Sequence, residues 1–336
     1  MKKLTLVAPI MLAIPAVVVS SNAYSADAKA VMQNLAASGF VDVVYTLSDG
    51  TDENNNANNE STEDKKFNVS GELDLESEIN PRTALRIDMD LSTDISSGIF
   101  EQAFVNYAFD NNMKLKAGVF NNRLGFERED APELYQVTHS QLWDIWDEQT
   151  SLNGNNLAGL EFSAQVSMVT LIAGLLNDRN DTAENISIKL AAEIKPMDSM
   201  DIVAGLISAD EGTATDGNAG TIFDASMSWQ WKQLVVGGGL LTADEIYDLG
   251  LQATANYAFT DDLSGTARID YVSYEGDYDN TTSITLAALF AVDKNLYANA
   301  EIRLMQNNDD AGSTTPNPYR KVGDGSMLFV EVLGTF

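Results

Sequence analysis

His139 is the only histidine in this 336-residue chain; Ser140 follows it directly and Asp144 lies close behind. An imidazole near a hydroxyl and a carboxylate can support acyl transfer, with the histidine as general base to a serine nucleophile. A triad is defined by geometry rather than by neighbours in sequence, and His139 reads as a polar loop histidine. Two oxygen-rich runs suggest different chemistry. Asp49-Gly50-Thr51-Asp52-Glu53 with its Asn-rich continuation, and Asn307-Asn308-Asp309-Asp310, offer the hard ligands that calcium prefers. Neither has the spacing of an EF-hand loop, so both read as solvated acidic loops, with Lys65 and Lys66 balancing charge nearby. No metal or cofactor is assigned. Cysteine is absent, which excludes disulfides, thiolate chemistry and zinc thiolate sites.

A third group of reactive residues consists of charges at every second position. Phe67, Val69, Gly71, Leu73 and Leu75 alternate with Asn68, Ser70, Glu72, Asp74 and Glu76. Beyond Asn80-Pro81 the pattern resumes, with Leu85, Ile87, Met89 and Leu91 set against Arg86, Asp88 and Asp90. A period of two is the mark of a strand with one apolar and one polar face. Such segments fall near 39–47, 66–77, 83–93, 99–109, 113–120, 156–166, 168–176 and 185–195. They continue near 200–208, 221–230, 233–241, 246–259, 263–274, 282–291, 296–305 and 325–336. Each is close to the roughly 9–11 residues that cross a bilayer as a tilted strand.

Short connections alternate with long, Asp/Asn/Gly-rich ones. That alternation predicts an all-β, transmembrane, antiparallel up-and-down barrel of about sixteen strands, with short periplasmic turns and longer external loops. An even count puts both chain ends on the periplasmic side. Strands running toward that side should then close on outward aromatics, as Tyr107, Phe109, Trp229, Tyr257, Phe259, Phe290 and Phe336 do in the apolar phase.

The start of the chain fits export. Lys2 and Lys3 precede an apolar stretch from Leu4 to about Val19, interrupted by Pro9 and Pro15, and then the small-residue site Ala23-Tyr24-Ser25-Ala26. Residues 1–25 therefore read as a cleaved signal peptide, 26–38 as a short periplasmic segment and 39–336 as the barrel. Beyond the leader no stretch approaches the roughly 20 apolar residues of a membrane helix. The formal charge of −30 argues against nucleic acid as a partner, because phosphate binding needs basic surface.

About sixteen strands enclose more space than side chains fill, and the inward faces carry charge. Arg86, Asp88, Lys114, Lys116, Arg268, Asp270, Glu301 and Arg303 are expected to line an aqueous pore at mid-strand, and Asp248 shares their phase. Charges in a dry core would each cost several kcal/mol, so this face must be hydrated or densely paired, and hydration is the simpler expectation. The longest connection, 121–155, is rich in apolar groups and is expected to fold inward as a constriction. Its candidate residues are Arg123, Arg128, Glu129, Asp130, Trp143 and Trp146, with the two tryptophans on one face of a short helix. Acids outnumber bases among the inward positions, which predicts a slight cation bias.

The run Phe100-Glu101-Gln102-Ala103-Phe104-Val105-Asn106-Tyr107, then Lys116-Ala117-Gly118-Val119-Phe120, then Leu124-Gly125-Phe126-Glu127 resembles the OmpL-like β-barrel porin family. In that family an E-Q-A-[FY]-[VL] strand leads to an A-G-[KR]-F strand and an [IL]-G-[FY] segment. Val119 stands where the family's pattern has a base, which removes a basic ligand there. The resemblance implies an outer-membrane porin. The strand count and long third loop are also similar to general Gram-negative porins, an analogy that adds a homotrimer to the monomer as the two expected states. The expected partners are outer-membrane lipid and lipopolysaccharide, small hydrophilic solutes, and the barrel-assembly machinery through the last strand ending at Phe336. A surface-exposed adhesive or structural barrel, or an outer-membrane hydrolase using His139, are the competing functions.

Overall fold

The computed structural model describes residues 34–51, 61–91, 100–110, 112–150, 152, 155–179, 185–209, 218–276, 280–308 and 325–336. The expected leader, the Asp52-Glu53 end of the first acidic run, and Asp309 and Asp310 lie outside those residues. Sixteen strands are present among the described residues. The first eight are β1 Leu35–Thr51, β2 Ser61–Asn80, β3 Thr83–Asp90, β4 Phe100–Ala108, β5 Met113–Asn121, β6 Asn156–Val166, β7 Val169–Asn177 and β8 Ile186–Met197. The second eight are β9 Met200–Ile207, β10 Ile222–Trp231, β11 Leu234–Ala243, β12 Tyr247–Ala258, β13 Leu263–Tyr274, β14 Asn280–Asp293, β15 Leu296–Asn308 and β16 Gly325–Thr335.

Each strand pairs antiparallel with its sequence neighbours, and β1 closes on β16 to complete one barrel. At the seam, Gly39 and Phe336 exchange backbone hydrogen bonds of 3.2 and 3.0 Å. Closure leaves no sheet edge unpaired, which is the condition for backbone to lie in hydrocarbon. The alternation sorts side chains inside out relative to a soluble protein. Val41, Leu171, Leu190, Leu286, Ile302 and Val332 are exposed on the outer surface, while Glu72, Asp88, Lys189, Asp224, Asp270 and Glu331 are buried within.

Aromatic pairs mark the short-turn rim. Tyr107 and Phe109 meet edge to face at 5.1 Å, Trp229 and Trp231 stack at 6.4 Å, and Tyr257 and Phe259 meet at 5.3 Å. This amphipathic band suits a membrane interface.

Two departures from the sequence reading have physical causes. β1 and β2 pair from Leu35↔Ser77 to Thr51↔Ser61, well beyond the expected 39–47 and 66–77. Ladder hydrogen bonds persist past the apolar band, where nothing enforces alternation, so the sequence pattern fades before the strand does. In β12 a bulge between Tyr247 and Leu249 shifts the phase. Tyr247 turns inward to Glu148 (3.3 Å) and Asp248, expected to face the lumen, is exposed.

Candidate pore constriction

The β5–β6 connection runs inside the barrel, and its local sequence explains its shape. A 3-10 turn spans Ala131–Glu133, with Pro132 in the first positions. Helix α1 spans Gln141–Glu148; Ser140 caps it by accepting a hydrogen bond from the Trp143 N–H at 3.2 Å. Asp144 in the first turn suits the helix dipole. Leu142, Ile145 and Trp146 form the buried face. They join Phe120, Leu241, Tyr247 and Val272 in one apolar cluster inside the barrel.

Two wall glycines make room for the loop. A Cβ on Gly237 would lie 2.0 Å from the Phe126 ring, and one on Gly250 would lie 3.2 Å from Leu142. Both face inward on β11 and β12, where larger residues would hold the loop off the wall.

Polar groups complete the docking. The Glu127 carboxylate accepts hydrogen bonds from Ser140 N (2.6 Å), Gln136 Nε2 (2.7 Å), Gln252 Nε2 (2.8 Å) and Arg268 Nη1 (3.0 Å). Burial alone would raise this carboxyl, but the charge of Arg268, together with His139 and the Ser140 N–H, outweighs it and brings the pKa to about 2. Arg268 also pairs with Asp270 at 3.1 Å and donates to the carbonyls of Thr138 and His139. Glu301 accepts from Val137 N at 2.7 Å and Thr138 N at 3.0 Å, and Arg303 donates to the His139 carbonyl at 3.2 Å. Trp146 Nε1 donates to Asp224 at 3.1 Å. At the far end, buried Arg179 donates to the Gln149 carbonyl at 2.7 Å and to the Gly220 carbonyl. These contacts tie the loop to the wall from β10 to β15 and, through Arg179, to the β7–β8 connection.

The opposite side of the lumen stays open. A cavity of 270 Å³ lies between the loop and β3 to β5, lined by Arg86, Gln102, Phe104, Lys116, Arg123, Arg128, Glu127, Glu129, Asp130, Glu133 and Trp143. A second cavity of 540 Å³ shares Lys116 and Arg123 with it and reaches the short turns at Arg82 and Asn112. Together they mark a polar route from mid-barrel to the short-turn rim. Arg86 is held by Asp88 (2.8 Å) and Asp74 (3.3 Å). Lys116 sits over the Phe104 and Phe120 rings at 5.1 and 5.0 Å, with Glu161 at 3.8 Å. Bases and acids from the wall and the loop thus line the narrow part together.

The structure divides the sequence-derived residues into groups. Arg86, Lys116, Arg123, Arg128, Glu129, Asp130 and Trp143 border the narrow cavity, Lys114 borders the wider one, and Asp88 is buried behind Arg86. Arg268, Asp270, Glu301 and Arg303 face inward but lie beneath the loop, where Arg268, Glu301 and Arg303 hold its backbone and Asp270 pairs with Arg268. The two indoles, expected on one face, diverge: Trp146 is buried against β10, and Trp143 stacks on His139 at 3.7 Å beside the opening. Ser140 is buried with its hydroxyl engaged as the helix cap.

Sequence reasoning did not single out Gln252, Arg179 or the glycine seats. The Gly237-Gly238-Gly239 run was the available signal, since glycine at an inward strand position marks a close approach.

Sixteen antiparallel strands, apolar outside and polar inside, with a folded loop narrowing the interior, define a transmembrane barrel of the constricted type. Solved structures share this fold at low sequence identity. OmpF of Salmonella typhi, in complex with daunomycin, superposes with a TM-score of 0.67 at 13% identity over 90% of this chain and 98% of that one. An anion-selective porin from Comamonas acidovorans gives 0.65 at 12% identity over 90% and 99%. OmpT, an outer membrane protein of Vibrio cholerae in trimer form, gives 0.60 at 13% identity over 90% and 99%. No protein-family model matches the sequence, and no curated protein matches it.

Proposed function

We propose that this chain is an outer-membrane porin: a water-filled channel through which small hydrophilic solutes or ions diffuse passively. The observation that carries the reading is the polar passage itself, lined by charged groups from β3 to β8 and narrowed from one side by the third loop. Charges of both signs facing across a constriction sort solutes by charge as well as by size. A slight cation bias is supported by the β2–β4 wall, where the acids Glu72, Asp74, Asp88 and Glu101 outnumber Arg86.

In this reading residues 1–25 are a signal peptide removed on export, and the barrel sits in the outer membrane of a Gram-negative cell. Lipid and lipopolysaccharide surround it, and the strand ending at Phe336 engages the assembly machinery. Homotrimerisation follows by analogy with structural neighbours such as the Vibrio cholerae protein in trimer form. The motif resemblance to OmpL-like porins, carried by β4, β5 and the start of the loop, is what supports that subgroup within this reading.

Single-channel recording in a planar bilayer tests the proposal. Discrete conductance steps are expected, and a salt gradient should give a reversal potential on the cation side. A folded barrel that inserts without conducting would overturn the channel reading.

A further inference from the structure

We propose that Glu72 on β2, Glu101 on β4 and Asp130 in the third loop form a calcium site that ties the free edge of the loop to the wall. One carboxylate oxygen from each lies within 4.8 Å of the others, close enough for a single ion. Glu72 is shared with a second trio, Glu72, Asp74 and Asp88, packed to the same limit. Glu72 is only 2% exposed, and its Oε1 has no hydrogen-bond partner. Glu129 Oε2, on the residue next to Asp130, is likewise buried without a partner. The nearby base, Arg86, is already divided between Asp74 and Asp88.

Ionised carboxylates at that spacing repel, and withdrawal from water strengthens the repulsion. A divalent cation removes the conflict directly. Calcium suits an all-carboxylate set because it accepts six to eight oxygens in flexible geometry, mono- or bidentate, whereas magnesium demands near-octahedral order and retains its water.

The position gives the site a role. The loop is anchored to β10–β15 through Glu127, Glu301 and Trp146, while Asp130 faces the opposite wall. An ion there would pin the loop on its second side and neutralise acids bordering the narrow cavity, shifting ion preference away from cations.

The folded full-length barrel in detergent, stripped with chelator and dialysed against radioactive calcium at about pH 8, where ordinary carboxylates are ionised, tests this. Wild type should retain one more calcium ion per chain than Asp130→Asn or Glu72→Gln, while calcium on the outer acidic loops stays common to all three. Calcium should also raise the melting temperature of wild type more than that of Asp130→Asn, a loop substitution that leaves the barrel wall intact. Equal binding and equal melting shifts in wild type and Asp130→Asn would overturn the site. Melting that responds to acid but not to calcium would also overturn it, because protons would then be what neutralises the acids. Neither measurement requires conduction, so a barrel that fails as a channel leaves this result unaffected.

Discussion

The two sides of the lumen are built from the same alternating strands and carry the same kinds of charge, yet they end in different states. On β13 and β15, Arg268, Asp270, Glu301 and Arg303 are buried beneath the third loop, each engaged by an ion pair or by loop backbone. On β3 and β5, Arg86, Lys114 and Lys116 border open cavities. Inward charge is therefore not a property of the strand alone. What covers it decides whether it anchors a loop or borders open space.

Deleting residues 127–148 should break this comparison most severely, because it removes the cover and makes both sides open. Single-channel conductance should rise several-fold; an unchanged value would take the loop out of the conducting path. Next in size is Arg268→Ala, which leaves Glu127 and Asp270 buried without their cation. A loss of about 3–5 kcal/mol is expected for a broken buried pair, read from denaturant unfolding of the folded barrel. A loss near zero would mean that the covered side is as hydrated as the open one.

Gly237→Leu attacks the same contact sterically. Its side chain would meet Phe126, and a cost of about 1–3 kcal/mol is expected for overpacking, with wider conductance fluctuations as the loop lifts. If both stability and noise stay at wild-type levels, Phe126 does not seat there.

Acid sharpens the contrast. Asp130 is raised from 3.8 to about 6, so the folded state holds its proton more tightly than the unfolded chain does. In chelator, that contribution to stability is complete below about pH 4 and lost as pH rises to about 6. Glu127, lowered to about 2, acts oppositely: its contribution is present above about pH 4.5 and lost as pH falls toward 2. Asp130→Asn should flatten the stability profile between about pH 4 and 6; a profile that keeps its slope would assign the titration to other acids. The smallest effect is expected from exposed Arg123, on the open route. Arg123→Gln should change stability by less than about 0.5 kcal/mol while moving the reversal potential further toward cations. A large stability loss would show that this side, too, is held by its charges.

Much of this arrangement could be read along the chain. The period of two located all sixteen strands and the inward phase of Arg268, Asp270, Glu301 and Arg303, because strand geometry is local and every second side chain shares a face. It failed at Tyr247 and Asp248, where a bulge inserts one residue without leaving a mark in the composition. The loop's load of Leu142, Ile145 and Trp146 showed that it must bury itself, though not where. Trp143 and Trp146 illustrate the limit: two identical residues three apart, of which one packs on Asp224 and the other stacks on His139.

The amino-acid order by itself determined the barrel, the sorting of its two faces and the presence of one apolar loop, all of which follow from periodicity within short windows. Only the tertiary structure decided that this loop lies against β10 to β16, that Glu127 is its polar hub, and that Glu72, Glu101 and Asp130 converge. Those features depend on partners far apart in sequence, such as Val137 and Glu301, separated by 164 residues. No local pattern encodes such a meeting; it exists only once the sheet has closed and brought the opposite wall within reach.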